Sequence, residues 1–232
     1  MAEANTPPRF KVAMLMFDGV DVLDFAGPLE MFSYMSYNYE TGEKEPGFSV
    51  EFIAQSETIK TSTDLRVLRD ISIEQATAKA STFDILLVPG GPPEVIAPLW
   101  KTESPELIFV RHFAALPQIV NTQPRILFSV CTGALLLGKA GVFAGVTATT
   151  HHMFLDQLRE ACSQSGTSAT QVVEARYIDA GVTKAGVRVI SSGGVSSGLD
   201  AACYFISTEW SNEKAQFATK LAEYNWRKPV DN

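Results

Sequence analysis

A chain of 232 residues, 46% hydrophobic and 19% charged, is long enough to bury a sizeable core and too apolar to read as disordered. Its formal charge of −7, with no clustering of lysine and arginine, excludes the basic face that a nucleic-acid partner requires. No apolar run is long enough to span a membrane, and the start, MAEANTPPRFKVAMLMF, lacks a small-residue cleavage site, so a cytoplasmic protein is expected.

In chain order, residues 1–9 are expected to be flexible, and KVAMLMF (11–17) is a strand buried on both faces. DGVDVLDFAGPLEMF follows, with Gly27-Pro28 expected to open a helix, since proline is tolerated in a first turn. After the long polar loop YNYETGEKEPGF comes FSVEFIAQ (48–55), which alternates as a strand does, and TIKTSTDLRVLRD (58–70) reads as a hairpin. ISIEQATAKA is a short helix, and FDILLVPGG (83–91) is a buried strand ending in a tight turn. SPELIFVRHFAAL (104–116) is a helix with Ser104 as its cap and proline at its first position. QPRILFSV (123–130) is a strand running straight into Cys131, and TGALLLGKAGVF is the helix after it. VTATT is a further strand, HHMFLDQLREACSQ an amphipathic helix, VVEARYIDAG and VRVISSGG late strands, and helices run from VSSGLDAACYFISTEW to the end. This alternation predicts one domain over 1–232, a doubly wound, mostly parallel sheet sandwiched by helices.

In such sheets ligands bind beyond the carboxyl ends of the strands. Residue type alone fits Cys131 as a small buried hydrophobe. Its position, at a strand-to-helix turn in FSVCTGALLLGKAGVFAG, instead predicts a presented thiol whose pKa the helix N-terminus lowers. The pair Gly90-Gly91 is read either as a plain turn or as a place where backbone N–H groups approach a reacting atom, with the amides of Gly91 and Thr132 aimed beside Cys131. Asp18 and Asp21 are expected to be loop and cap residues. Asp24, set before Phe25-Ala26-Gly27-Pro28, is a carboxyl whose burial would raise its pKa and let it donate a proton. His151 and His152 open a helix, where one acts as a polar cap. The three cysteines, Cys131, Cys162 and Cys203, are far apart and read as free thiols, and no metal site is expected.

Taken in order, VPGG (88–91), SVCTGALLLGKAG (129–141), ATTHH (148–152) and SSGGVSSGLDAACYFI (191–206) resemble the DJ-1/PfpI superfamily over nearly the whole chain. The resemblance implies a flavodoxin-like fold and a homodimer. Thr132 stands where protease-like members carry histidine, and LDFAGPLEMF has an aspartate where the human-type branch has glutamate. Aspartate before GP, Cys-Thr-Gly at the elbow and TTH after the next strand resemble the isonitrile hydratase branch, although His152 replaces an aromatic residue often seen there. By position, the resemblance implies Cys131 as nucleophile, Asp24 as its acid/base partner, Thr132 as the residue orienting both, and Gly90, Gly91 and His151 lining the pocket. It implies hydration of a small-molecule isonitrile to an N-substituted formamide through a thioimidate, with no cofactor. Two alternatives remain open: another thiol-dependent enzyme acting on small electrophiles, glyoxalase-like or in specialised metabolism, and a non-catalytic redox sensor or ligand-binding protein.

Overall fold

The structure is a computed structural model that describes residues 10–39, 41–43, 45–117, 123–166 and 169–228. Residues 1–9, expected above to be flexible, lie outside the described residues. The strands are β1 (Phe10–Leu15), β2 (Phe48–Ala54), β3 (Thr58–Lys60), β4 (Arg66–Leu68), β5 (Ile71–Ser72), β6 (Ile85–Val88), β7 (Ile126–Val130), β8 (Thr147–Ala148), β9 (Gln171–Val172), β10 (Tyr177–Val182) and β11 (Arg188–Ser192). The helices are α1 (Val22–Ser33), α2 (Ile73–Ala78), α3 (Pro93–Lys101), α4 (Pro105–Ala115), α5 (Ala134–Lys139), α6 (Leu155–Gln164), α7 (Ser197–Glu209) and α8 (Asn212–Leu221).

Seven strands form one sheet in the order β10-β11-β7-β6-β1-β2-β5. Every neighbouring pair is parallel except β10 with β11 at one edge. The central strands β6 and β7 are buried at every position, as strands covered on both faces must be. One layer of helices holds α1, α7 and α8, and the other runs through α2, α3, α4, α5 and α6. The α1–α7 layer is anchored by aromatic packing in which Phe32 stacks on Phe48 at 4.2 Å and meets Phe205 at 6.0 Å. The hairpin expected at 58–70 is β3 paired antiparallel with β4. No helix among the described residues is long and apolar enough to cross a membrane.

Two boundaries differ from expectation. Helix α1 begins at Val22, not at Gly27-Pro28, because the Asp21 side chain caps it by accepting from Leu23 N at 3.1 Å. Pro28 therefore lies inside the helix, and the carbonyl it cannot pair with is that of Asp24, four residues back. The VTATT strand shrinks to Thr147–Ala148, since the Thr149 and Thr150 side chains turn to neighbouring loops. Helix α3, over PEVIAPLWK, was not anticipated from the sequence.

The chain leaves β1 toward β2 and later returns to the other side of β1 through β6. The strand order thus reverses between β1 and β6, where a crevice opens at the carboxyl ends. Four neighbouring strands, β11, β7, β6 and β1, each deliver one loop to that end: Gly193–Val195, Cys131, Gly90-Gly91 and the turn into α1 with Asp24.

Candidate active site

Cys131 is the residue at which the chain turns from β7 into the 3-10 turn preceding α5, and it does so at φ +57°. A non-glycine residue in this left-handed region is strained and persists only where its surroundings hold it. Its N–H donates to Gly193 O at 3.1 Å, and its carbonyl accepts from Thr150 Oγ1 at 2.8 Å. Two residues on, a Cβ at Gly133 would stand 2.1 Å from Val88 O, so only glycine lets the turn close over the end of β6. Cys131 is buried, with 6% of the residue exposed.

Asp24 sits in the first turn of α1 and is fully buried. Its Oδ2 accepts from Gly90 N at 2.9 Å, while its Oδ1 has no hydrogen-bond partner. Burial is the main cause that lifts its pKa from 3.8 to about 7; the charge of Asp21 adds to this, and the Gly90 N–H and the Cys131 thiol oppose it. The same burial, then the Asp24 charge, pushes Cys131 up to about 12 against the pull of the Val195 and Thr132 backbone amides. The expectation of a lowered thiol pKa is therefore corrected. The amides at the elbow do favour the thiolate, but desolvation and a facing carboxylate outweigh them.

Thr132 is buried, and its hydroxyl donates to Gly91 O at 2.8 Å and accepts from Gly91 N at 2.9 Å. The Gly91 amide is thereby committed to Thr132 and does not point at the thiol, contrary to expectation. The Gly90-Gly91 turn instead serves Asp24: Thr132 locks Gly91, and Gly90 presents its N–H to the carboxylate. A Cβ on Gly90 would lie 2.5 Å from Thr132 Oγ1 and 2.9 Å from Asp24 Oδ2, so this closeness requires glycine.

The second amide at the thiol comes from Val195, which sequence reasoning missed. Val195 follows β11 with φ +42°, and the available signal was its place inside SSGGVSSG. Its loop, with Thr150, His151, His152, Glu174, Arg176 and Ser197, borders a cleft of about 460 Å³. His151 lies on this cleft but makes no hydrogen bond to Cys131 or Asp24. Its Nδ1 accepts from Met153 N at 3.2 Å, which makes it the cap expected of one histidine and leaves Nε2 to carry the proton of the neutral ring. Burial and the neighbouring His152 lower its pKa. Asp21 is the cap of α1, and Asp18 accepts from Lys60 N at 2.8 Å, both as loop aspartates. Cys162 and Cys203 are free, buried and apart from the site. Among the described residues no group of three or more His, Cys, Asp and Glu side chains could hold a metal ion.

The sequence model of the DJ-1/PfpI family matches residues 10–207. The chain belongs to this family. It is 27% identical over 223 residues to the isonitrile hydratase of Pseudomonas putida, covering 96% of this chain and 82% of that one. It is 30% identical over 156 residues to an uncharacterized protein of Streptomyces lividans, covering 66% of this chain and 94% of that one. Among solved structures it is similar to a ThiJ/PfpI family protein from Pseudomonas syringae, with a TM-score of 0.72 at 22% identity over all of this chain and 81% of that one. The oxidized DJ-1 of Toxoplasma gondii superposes with a TM-score of 0.67 at 16% identity, over 94% of this chain and 100% of that one. These likenesses place this DJ-1/PfpI protein in the flavodoxin-like class.

Proposed function

We propose that this DJ-1/PfpI protein is a cysteine-dependent hydratase that converts an isonitrile to an N-substituted formamide. The observation that carries the proposal is the buried pair itself: a thiol on a strained elbow facing a carboxyl whose pKa is about 7 and whose Oδ1 is unpartnered. Asp24 takes the thiol proton as Cys131 Sγ attacks the terminal isonitrile carbon, and delivers that proton to the same carbon. One S–H bond breaks, one C–S and one C–H bond form, and a thioimidate is left on Cys131. Water then adds to the C=N carbon, with a proton passing to nitrogen. The tetrahedral adduct gives its hydroxyl proton to sulfur, the C–S bond breaks, and the formamide and free thiol are released. The backbone amides of Thr132 and Val195 stabilise negative charge on sulfur in both halves. Thr132 positions Asp24 through the Gly90-Gly91 turn, and the cleft bordered by His151 receives the nitrogen substituent.

The 27% identity to a known isonitrile hydratase over almost the whole chain supports this chemistry. Burial of the thiol weighs against the peroxide-sensor alternative, which works best through an exposed thiolate. The family resemblance also supports a cytoplasmic homodimer. The test is formamide production from a panel of isonitriles by wild type, Cys131→Ala and Asp24→Ala. Turnover lost in both variants supports the pair, whereas full turnover in Cys131→Ala removes the mechanism.

A further inference from the structure

Val195 is β-branched and sits at φ +42°, with its amide toward the Cys131 sulfur. Such a backbone is costly and stays in place only when several contacts fix it together. The turn is tied to Arg176 twice: Gly193 N donates to Arg176 O at 2.9 Å, and two guanidinium nitrogens approach Ser196 Oγ at 3.4 Å each. From the C-terminal tail, the Tyr224 hydroxyl lies 3.3 Å from Ser196 O and 2.9 Å from Asp200 Oδ1, its one proton between them. Asp200 is fully buried in α7 and collects the rest. Arg176 donates to its Oδ2 from Nε at 2.7 Å and again from its terminal nitrogen, and Arg227 N donates to its Oδ1 at 2.9 Å.

We propose that Tyr224 and Arg176, gathered on Asp200, are positioning residues that hold the Val195 amide against the Cys131 sulfur. A tail residue remote in sequence from every motif of the site thus sets how well the thiolate is stabilised during attack. The proposal rests on Cys131 being the working nucleophile. The charged and titratable groups facing that sulfur are Asp24, with Asp21 behind it, and those bordering the neighbouring cleft are His151, His152, Glu174 and Arg176 itself. Tyr224→Phe changes none of them and Arg176→Lys keeps the positive charge, so both variants act on the amide rather than on the charge around the thiol.

The experiment compares wild type, Tyr224→Phe, Arg176→Lys and the control Tyr34→Phe, a tyrosine just after α1 whose hydroxyl donates to Glu30 Oε1 at 2.7 Å and makes no hydrogen bond to the 193–196 turn. Two readouts are taken: the rate of Cys131 alkylation by iodoacetamide at pH 8.5, and kcat and KM on an isonitrile turned over by wild type. Tyr224→Phe keeps the ring and is expected to melt within a few degrees of wild type. Losing the held amide is expected to slow alkylation about 3- to 10-fold and to lower kcat by a similar factor with KM nearly unchanged, in line with one weakened hydrogen bond to a charged group. Arg176→Lys is expected to move the alkylation rate in the same direction, and it decides the matter if Tyr224→Phe fails to fold. Alkylation equal to or faster than wild type in the folded variant overturns the clasp, because a merely structural contact or a lid gives those results. If wild type turns over no isonitrile yet alkylation slows in Tyr224→Phe, the hydratase reading fails and the clasp stands.

Discussion

Replacing Asp24 by asparagine is expected to abolish turnover while making the protein more stable at alkaline pH. The Asp24 carboxyl rises from 3.8 to about 7 on folding, so between those values the folded state binds more protons than the unfolded chain. Stability is then fully present below 3.8 and falls as pH rises through about 7. The interval corresponds to about 4 kcal/mol lost by pH 8, the cost of keeping a desolvated carboxylate. Asparagine never ionises and still accepts from Gly90 N, but its NH2 group occupies the place where Oδ1 has no partner. An unsatisfied buried donor costs about 1–3 kcal/mol. The difference leaves Asp24→Asn about 1–3 kcal/mol more stable than wild type at pH 8, and without that advantage at pH 4. Urea titrations of both proteins from pH 4 to 8.5, followed by circular dichroism, give the difference directly. A stability difference that does not change with pH, or an asparagine variant less stable at pH 8, would refute the burial argument.

The pair also sets the pH dependence of turnover: kcat/KM is expected to rise about tenfold per pH unit below 7 and to level off above it, as Asp24 becomes the base that takes the thiol proton. A rate profile measured from pH 5.5 to 9 with no inflection near 7 contradicts that role. Gly90→Ala drives a Cβ to 2.5 Å from Thr132 Oγ1 and 2.6 Å from Thr132 N, so a loss of about 3 kcal/mol in a urea melt is expected, with turnover lost as Asp24 is displaced. At the elbow the usual ranking of alanine over glycine should invert. With φ at +57°, Cys131→Gly is expected to be about 1 kcal/mol more stable than Cys131→Ala, as paired melts will read.

What the sequence discloses is the chemistry that is local in the chain. The elbow cysteine, the proline-glycine-glycine turn and the aspartate after the first strand each lie within a few residues of a strand end, and the parallel topology brings strand ends together. Val195 was not legible because the residue bearing the positive φ is β-branched, while the two glycines before it are where such a conformation is expected. Its backbone is imposed by Arg176, Asp200 and the tail, contacts that no local preference reveals. The start of α1 was misplaced for a related reason: proline usually marks a first turn, yet here Asp21 supplies the cap six residues earlier. The thiol pKa was misread because position predicts the amides but not the burial that opposes them.

That burial fits the proposed chemistry better than the lowered pKa expected from the elbow. Adding a thiol to one carbon of an isonitrile needs both the sulfur and its proton at the same atom. A thiol with a depressed pKa would already have lost its proton to water, and a carboxylate of ordinary pKa could not hold one at neutral pH. With the carboxyl raised to about 7 and the thiol to about 12, the pair keeps one proton between them across the whole neutral and mildly alkaline range. Sulfur is the resting holder, and Asp24 Oδ1, free of any other hydrogen bond, is the oxygen able to carry that proton to carbon. The amides of Thr132 and Val195 need to favour the thiolate only while the proton is in transit, which is when their stabilisation lowers the barrier rather than the ground state.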